Sequence, residues 1–105
     1  MRNEADVKKH VKRLLKQYGV WYCMPIGTGF GKQGVPDFIC CASGLFLAIE
    51  TKFGNNKPTA LQVLQIDEIE KARGNTFVAN DQNLHQLENL LLGMTHEDAE
   101  GDTSC

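Results

Sequence analysis

Three residues in the segment Gly34–Lys52 have the types and spacing to act together: Asp37, Glu50 and Lys52. Glu50 and Lys52 close the run LFLAIETK, which is otherwise as apolar as a buried strand, and ionised groups are costly to bury unless something pairs with them. Two carboxylates brought close repel, and each raises the other's pKa unless a cation intervenes. A hard divalent ion such as Mg²⁺ or Mn²⁺ relieves that repulsion, taking oxygen ligands while keeping several waters. Such an ion can bind a phosphate oxygen and acidify a bound water. A lysine beside it can orient or deprotonate that water, or offset charge building on the phosphorane. The set therefore points to phosphodiester hydrolysis. Taken singly, each residue has a plainer role: Asp37 after Pro36 is a turn signal, and Glu50 with Lys52 is a same-face ion pair worth under about 1 kcal/mol.

These residues need a hairpin to meet. Val35–Cys41 and Leu45–Lys52 read as two strands joined by Ala42-Ser43-Gly44, a connection suited to antiparallel pairing. Alternation puts Glu50 and Lys52 on one face, about 6.6 Å apart, and the midpoint of positions 37 and 50 falls in the turn around Ser43. Both faces of the second strand are apolar, which predicts a central strand covered by helices. Ahead of the hairpin, Val7, Val11, Leu14, Leu15 and Tyr18 form the apolar stripe of a helix over residues 3–18, capped by Asn3 and closed by Gly19. Glu4 falls on that inward stripe and can reach the same ion. Val20–Met24 is a short strand, and Pro25–Gly34 a glycine-rich loop that fits neither a dinucleotide nor a P-loop pattern. Thr59 caps a helix to about Arg73 with Leu61, Leu64, Ile66 and Ile69 as its apolar positions, and Gln62 is an inward polar residue in its first turn. Thr76–Ala79 is a last strand, and Asp81 opens a helix whose Leu84, Leu87, Leu90 and Leu91 are core residues, with a dimer seam as an alternative use. The predicted order is α-β-β-β-α-β-α.

At 105 residues, 42% apolar and 23% charged, the chain is expected to form one domain over residues 1–92, followed by an acidic tail over 93–105. No apolar run approaches the ~18 residues of a membrane span, and the N-terminus is not signal-like, so an intracellular, cytoplasmic location is expected and no membrane partner. Cys23, Cys40, Cys41 and Cys105 lack any C-x-x-C pair, which fits reduced thiols better than a zinc site or a disulfide framework. The net charge of −2 conceals an asymmetry: seven of the eleven Lys and Arg residues lie in residues 1–32, and none follows Arg73. A basic front end can meet a polyanion. Lys8 and Lys12 on the first helix, and Lys32 and Lys57 on loops flanking the acids, are the candidate phosphate contacts.

The combination of Pro36-Asp37 with Glu50-Thr51-Lys52 resembles the PD-(D/E)xK nuclease motif, and the wider pattern resembles a stand-alone VRR-NUC domain of the kind carried by phages and bacteria. The matches are Glu4 on an early helix, G-V-P-D at Gly34–Asp37, I-E-T-K at Ile49–Lys52, and T-A-L-Q at Thr59–Gln62 opening a helix that ends K-A-R-G before a strand. They cover about residues 3–80. The V-R-R-type signature behind the family's name has no basic counterpart at Val63–Gln65. The resemblance implies a restriction-endonuclease-like mixed sheet flanked by helices and a deoxyribonuclease dependent on Mg²⁺ or Mn²⁺. It implies that Asp37 and Glu50 hold the metal, with Glu4 and the Thr51 backbone carbonyl as further ligands. Lys52 then serves the attacking water, and Gln62 is an accessory catalytic residue. It also implies a homodimer acting on branched DNA such as four-way junctions; a phage-encoded member would act in the host cytoplasm. Two rivals stand beside this reading: a catalytically silent DNA-binding module, and a nuclease subunit that needs a partner protein.

Overall fold

The structure, a computed structural model, describes all residues except Thr28 and Cys105, with the side chains of the last helix described as far as His96. The elements are α1 (Glu4–Gln17), β1 (Trp21–Cys23), β2 (Phe38–Ala42), β3 (Leu45–Thr51), α2 (Ala60–Lys71), β4 (Asn75–Ala79) and α3 (Leu84–Ser104). The α-β-β-β-α-β-α order read from the sequence is the observed one. The four strands form a mixed sheet in the order β1-β2-β3-β4. The first three are antiparallel, and β4 joins β3 in parallel after the α2 crossover. Strand β3 is therefore central, as its two apolar faces require.

Local chemistry explains the boundaries. Asn3 caps α1 by accepting from the Asp6 N–H, and Gly19, at φ +67°, ends it. The β2–β3 turn is the residue pair Ser43-Gly44, both at positive φ, which matches the twist of a tight hairpin. The β2 ladder begins at Phe38 rather than Val35, because the chain arrives through Gly34 at φ +77° and Pro36, which has no N–H to donate. The last helix opens at Leu84 rather than Asp81: the Asp81 carboxylate accepts from the Gly54 N–H, while Asn83 anchors the helix start through Asn80 and Val78.

The core lies on one side of the sheet. Val7, Val11, Leu14 and Leu15 of α1 and Leu84, Leu87, Leu91 and Met94 of α3 pack on Phe38, Cys40, Leu47 and Ile49. Buried aliphatic side chains of this kind contribute about 1.5–3 kcal/mol each, so this layer carries the stability. The Tyr18 hydroxyl donates to Glu88 at 2.7 Å and ties α1 to α3. Leu84, Leu87 and Leu91 are core residues, as expected, rather than an open seam. Cys23, Cys40 and Cys41 are free thiols, and among the described residues no helix is long and apolar enough to cross a membrane. The acidic side chains Glu97, Asp98, Glu100 and Asp102 lie outside the described residues.

Helix α2 lies on the opposite face and corrects one expectation. None of its residues is buried, and Leu61 and Leu64 are about half exposed, at 50% and 47%. The half-buried positions are Gln62, Gln65, Ile66 and Ile69, a helical i, i+3, i+4, i+7 face with two amides on it. A reciprocal capping box sets this phase: Thr59 Oγ1 accepts from the Gln62 N–H, and Gln62 Oε1 accepts from the Thr59 N–H.

Candidate active site

Every antiparallel β2–β3 partner pair keeps the register of Phe38 with Ile49. The ladder ends at that pair, so Asp37 stands just beyond it, beside Glu50 and Thr51, at the end of the sheet that Lys8 of α1 and Gln62 of α2 both reach. This is the register implied by a hairpin centred near Ser43.

The two carboxylates are held by different means. Oδ2 of Asp37 accepts from the Thr51 N–H at 3.0 Å and from Thr51 Oγ1 at 2.5 Å. Oε2 of Glu50 accepts from Gln62 Nε2 at 2.8 Å, and Lys52 Nζ stands 3.6 Å from the same oxygen. Each acid thus has one oxygen engaged by the protein. Of the other two, Oδ1 of Asp37 faces Lys8 Nζ at the long distance of 4.0 Å. Oε1 of Glu50 is buried without a hydrogen-bond partner.

Glu50 is only 2% exposed. Burial, and next the charge of Asp37, push its pKa from the usual 4.5 up to about 7; Lys52 opposes the rise and Glu4 adds to it. An orphaned buried carboxylate oxygen is costly, and such an oxygen beside a second acid is a place for either a proton or a cation. Among the described residues, no three His, Cys, Asp or Glu side chains stand together closely enough to hold a metal ion. Two carboxylates are nevertheless the usual protein share of a Mg²⁺ site, in which water supplies much of the shell. The residues present fit such an ion: two acids, each with one oxygen outside the hydrogen bonds described above, and hard oxygen donors only.

The sequence-derived candidates separate into two groups. Asp37, Glu50, Lys52 and Gln62 come together. Glu4 lies at the margin, where its carboxylate pairs with Lys8 at 3.5 Å and acts on Glu50 through its charge. Of the lysines expected to meet phosphate, Lys12 and Lys57 are exposed, and Lys32 pairs with Glu68 on α2 at 3.5 Å. Lys8 instead points into the acid cluster.

Two contributors were not visible as such in the sequence. The Thr51 side chain, rather than its backbone alone, holds Asp37; the available signal was a threonine between Glu50 and Lys52, which alternation turns to the opposite strand face. Gly34 is the other. A Cβ at this position would lie 2.6 Å from the Leu61 carbonyl and 2.8 Å from the Gln62 nitrogen, so only glycine lets the loop pass under the start of α2.

Comparison with family models and with curated proteins finds no match to this chain.

Proposed function

We propose that the chain is a divalent-metal-dependent endodeoxyribonuclease of the PD-(D/E)xK kind, similar to stand-alone VRR-NUC domains. The observation that carries this reading is the oxygen accounting at Asp37 and Glu50: one oxygen of each is engaged, and the buried Oε1 of Glu50 has no partner. The order of elements, with both acids on a central hairpin of a mixed sheet, supports a restriction-endonuclease-like core.

In this reading Asp37 and Glu50 hold Mg²⁺ or Mn²⁺, with the Thr51 backbone carbonyl as a further donor and Glu4 acting from the margin. The bound ion supplies Lewis acidity toward the phosphodiester and a more acidic water. Lys52 is 13% exposed and 3.6 Å from Glu50, a position from which its ammonium can orient the attacking water or meet charge developing on phosphate. Gln62 keeps Oε2 of Glu50 engaged, which leaves the unpartnered Oε1 for the ion. Lys12 and Lys57 supply exposed positive charge for the DNA backbone, which makes binding salt-dependent.

One chain of this size carries one such site, and symmetric cutting of both strands needs two, which a two-fold dimer provides. The half-exposed Leu61 and Leu64 of α2, with Trp21 and Phe46 of the sheet also exposed, offer apolar surface for that contact.

The test is to incubate purified wild type, Glu50→Gln and Lys52→Ala with labelled four-way junction, linear duplex and single-stranded DNA, under Mg²⁺, Mn²⁺ or chelator. Metal-dependent cutting of the junction by wild type alone is the expected result. Equal cutting of linear duplex would discard branch selectivity and keep the site. Binding without cutting under every metal would leave a silent DNA-binding module.

A further inference from the structure

Lys8 occupies a position that its place among the basic residues of α1 does not explain. Glu4 and Lys8 are one helical turn apart, so their pairing at 3.5 Å is the common i, i+4 contact. The same ammonium also lies 4.0 Å from Oδ1 of Asp37, the oxygen that Thr51 leaves unengaged. Lys8 is thus the one helix lysine that reaches across to the β2–β3 hairpin among the described ion pairs.

Two lysines therefore serve the acid cluster, and they are held unequally. Lys52 is 13% exposed and 3.6 Å from Glu50. The Lys8 side chain is 34% exposed and its approach to Asp37 is beyond hydrogen-bond length, so that tie is electrostatic and open to water. Added positive charge at the cluster displaces the more weakly held cation first, and a lysine stem is long enough to swing its ammonium several ångströms while its base stays on the helix.

We infer that Lys8 is a resident counter-ion of the acid cluster: its ammonium competes with a divalent cation for Asp37 and Glu4, and turns to a DNA phosphate once that cation is bound. This rests on the metal-site reading proposed above. It gives the site a built-in coupling, in which metal loading releases a positive side chain for substrate and a metal-free site keeps it.

The test uses the whole chain without DNA. Mn²⁺ binding is followed by loss of the free-ion electron paramagnetic resonance signal for wild type, Lys8→Met, and Lys16→Met as a control that removes a charge from the far end of the same helix. Lys8→Met is expected to bind Mn²⁺ roughly three- to tenfold more tightly than wild type, with Lys16→Met close to wild type. In Ca²⁺, the affinity of Lys8→Met for duplex DNA is expected to fall, and its log–log salt slope to decrease by about one. Equal or weaker Mn²⁺ binding by Lys8→Met overturns the inference while leaving the metal site intact. Tighter Mn²⁺ binding with an unchanged salt slope overturns the transfer to phosphate. No Mn²⁺ binding by folded wild type overturns the metal-site reading and this inference with it.

Discussion

The side-chain amide of Gln62 spans from α2 to β3: its Nε2 donates to Oε2 of Glu50 at 2.8 Å, while its Oε1 accepts from the Thr59 N–H at 2.8 Å. One residue caps the helix and holds the buried acid. Because the Thr59 N–H can only donate, it takes the amide oxygen and leaves the NH₂ for Glu50, so the orientation of the group follows from its partners. A helix with no buried residue is in this way tied to the site by a polar contact.

Gly34→Ala tests that tie from the other side. A methyl group here meets backbone at 2.6 Å, and the φ of +77° is unfavourable for alanine. Backbone cannot give way as a side-chain tip does, so α2 must shift at its first turn. A loss of about 2–4 kcal/mol in urea unfolding is expected, together with loss of the proposed DNA cleavage, since Gln62 moves with the helix. Wild-type stability in this variant would show that α2 is held elsewhere.

Gln62→Glu keeps the capping box, because glutamate caps as well as glutamine at this helix position, but it sets a carboxylate against Glu50. At pH 8 both acids are ionised and repel; at pH 5 Glu50, with its pKa raised to about 7, carries a proton and can donate to the new acid. The variant is expected to lose about 1–3 kcal/mol at pH 8 and clearly less at pH 5. Thermal melts at the two pH values make the comparison.

Glu50→Gln should stabilise the metal-free protein at neutral and alkaline pH. The folded pKa of about 7 lies above the usual 4.5, so between these values the folded state holds a proton that the unfolded chain has lost. Wild-type stability therefore falls as pH rises from about 4.5 to 7 and levels off above. The amide removes that dependence and can still present its oxygen to Gln62. An advantage of about 1–3 kcal/mol over wild type at pH 8, shrinking toward zero below pH 4.5, is expected from urea titrations. A constant difference across that range would mean that Glu50 titrates normally.

Mn²⁺ should raise the melting temperature, and more so as pH rises through about 7, because the ion must displace the Glu50 proton before it can bind. Asp37→Asn, which removes half of the acid pair, is expected to lose most of the shift. An equal shift at pH 6 and pH 8 would place the ion away from Glu50.

The parts legible in the sequence were those decided by neighbours along the chain. The apolar stripe of α1 gave Val7, Val11, Leu14 and Leu15, all buried. Strand alternation with a short turn gave the register of Phe38 with Ile49, which brings Asp37 beside Glu50 at the end of the hairpin. The T-A-L-Q start of α2 was readable as a cap, and the phase of that helix only in part: Gln62, Ile66 and Ile69 take the inward side as expected, while Leu61 and Leu64 turn to solvent and Gln65 takes a place on that side. A weakly amphipathic helix has little periodic signal to set its rotation, and its contacts with Gly34 and Glu50 decide it. The start of α3 was misplaced for a similar reason, since the Asp81 carboxylate is used by Gly54 rather than by a helix.

By itself the sequence determined the element order, the hairpin register, and the presence of two acids and a lysine at the open end of the β2–β3 hairpin, because periodicity and turn chemistry act over a few residues. Only the tertiary structure decided that Thr51 grips Asp37, that Gln62 grips Glu50, that Lys8 joins the acids, and that Glu50 is buried deeply enough to hold its proton near neutrality. Those outcomes depend on how close α1, the β2–β3 hairpin and α2 approach one another, and such distances are set by packing between segments far apart in the chain.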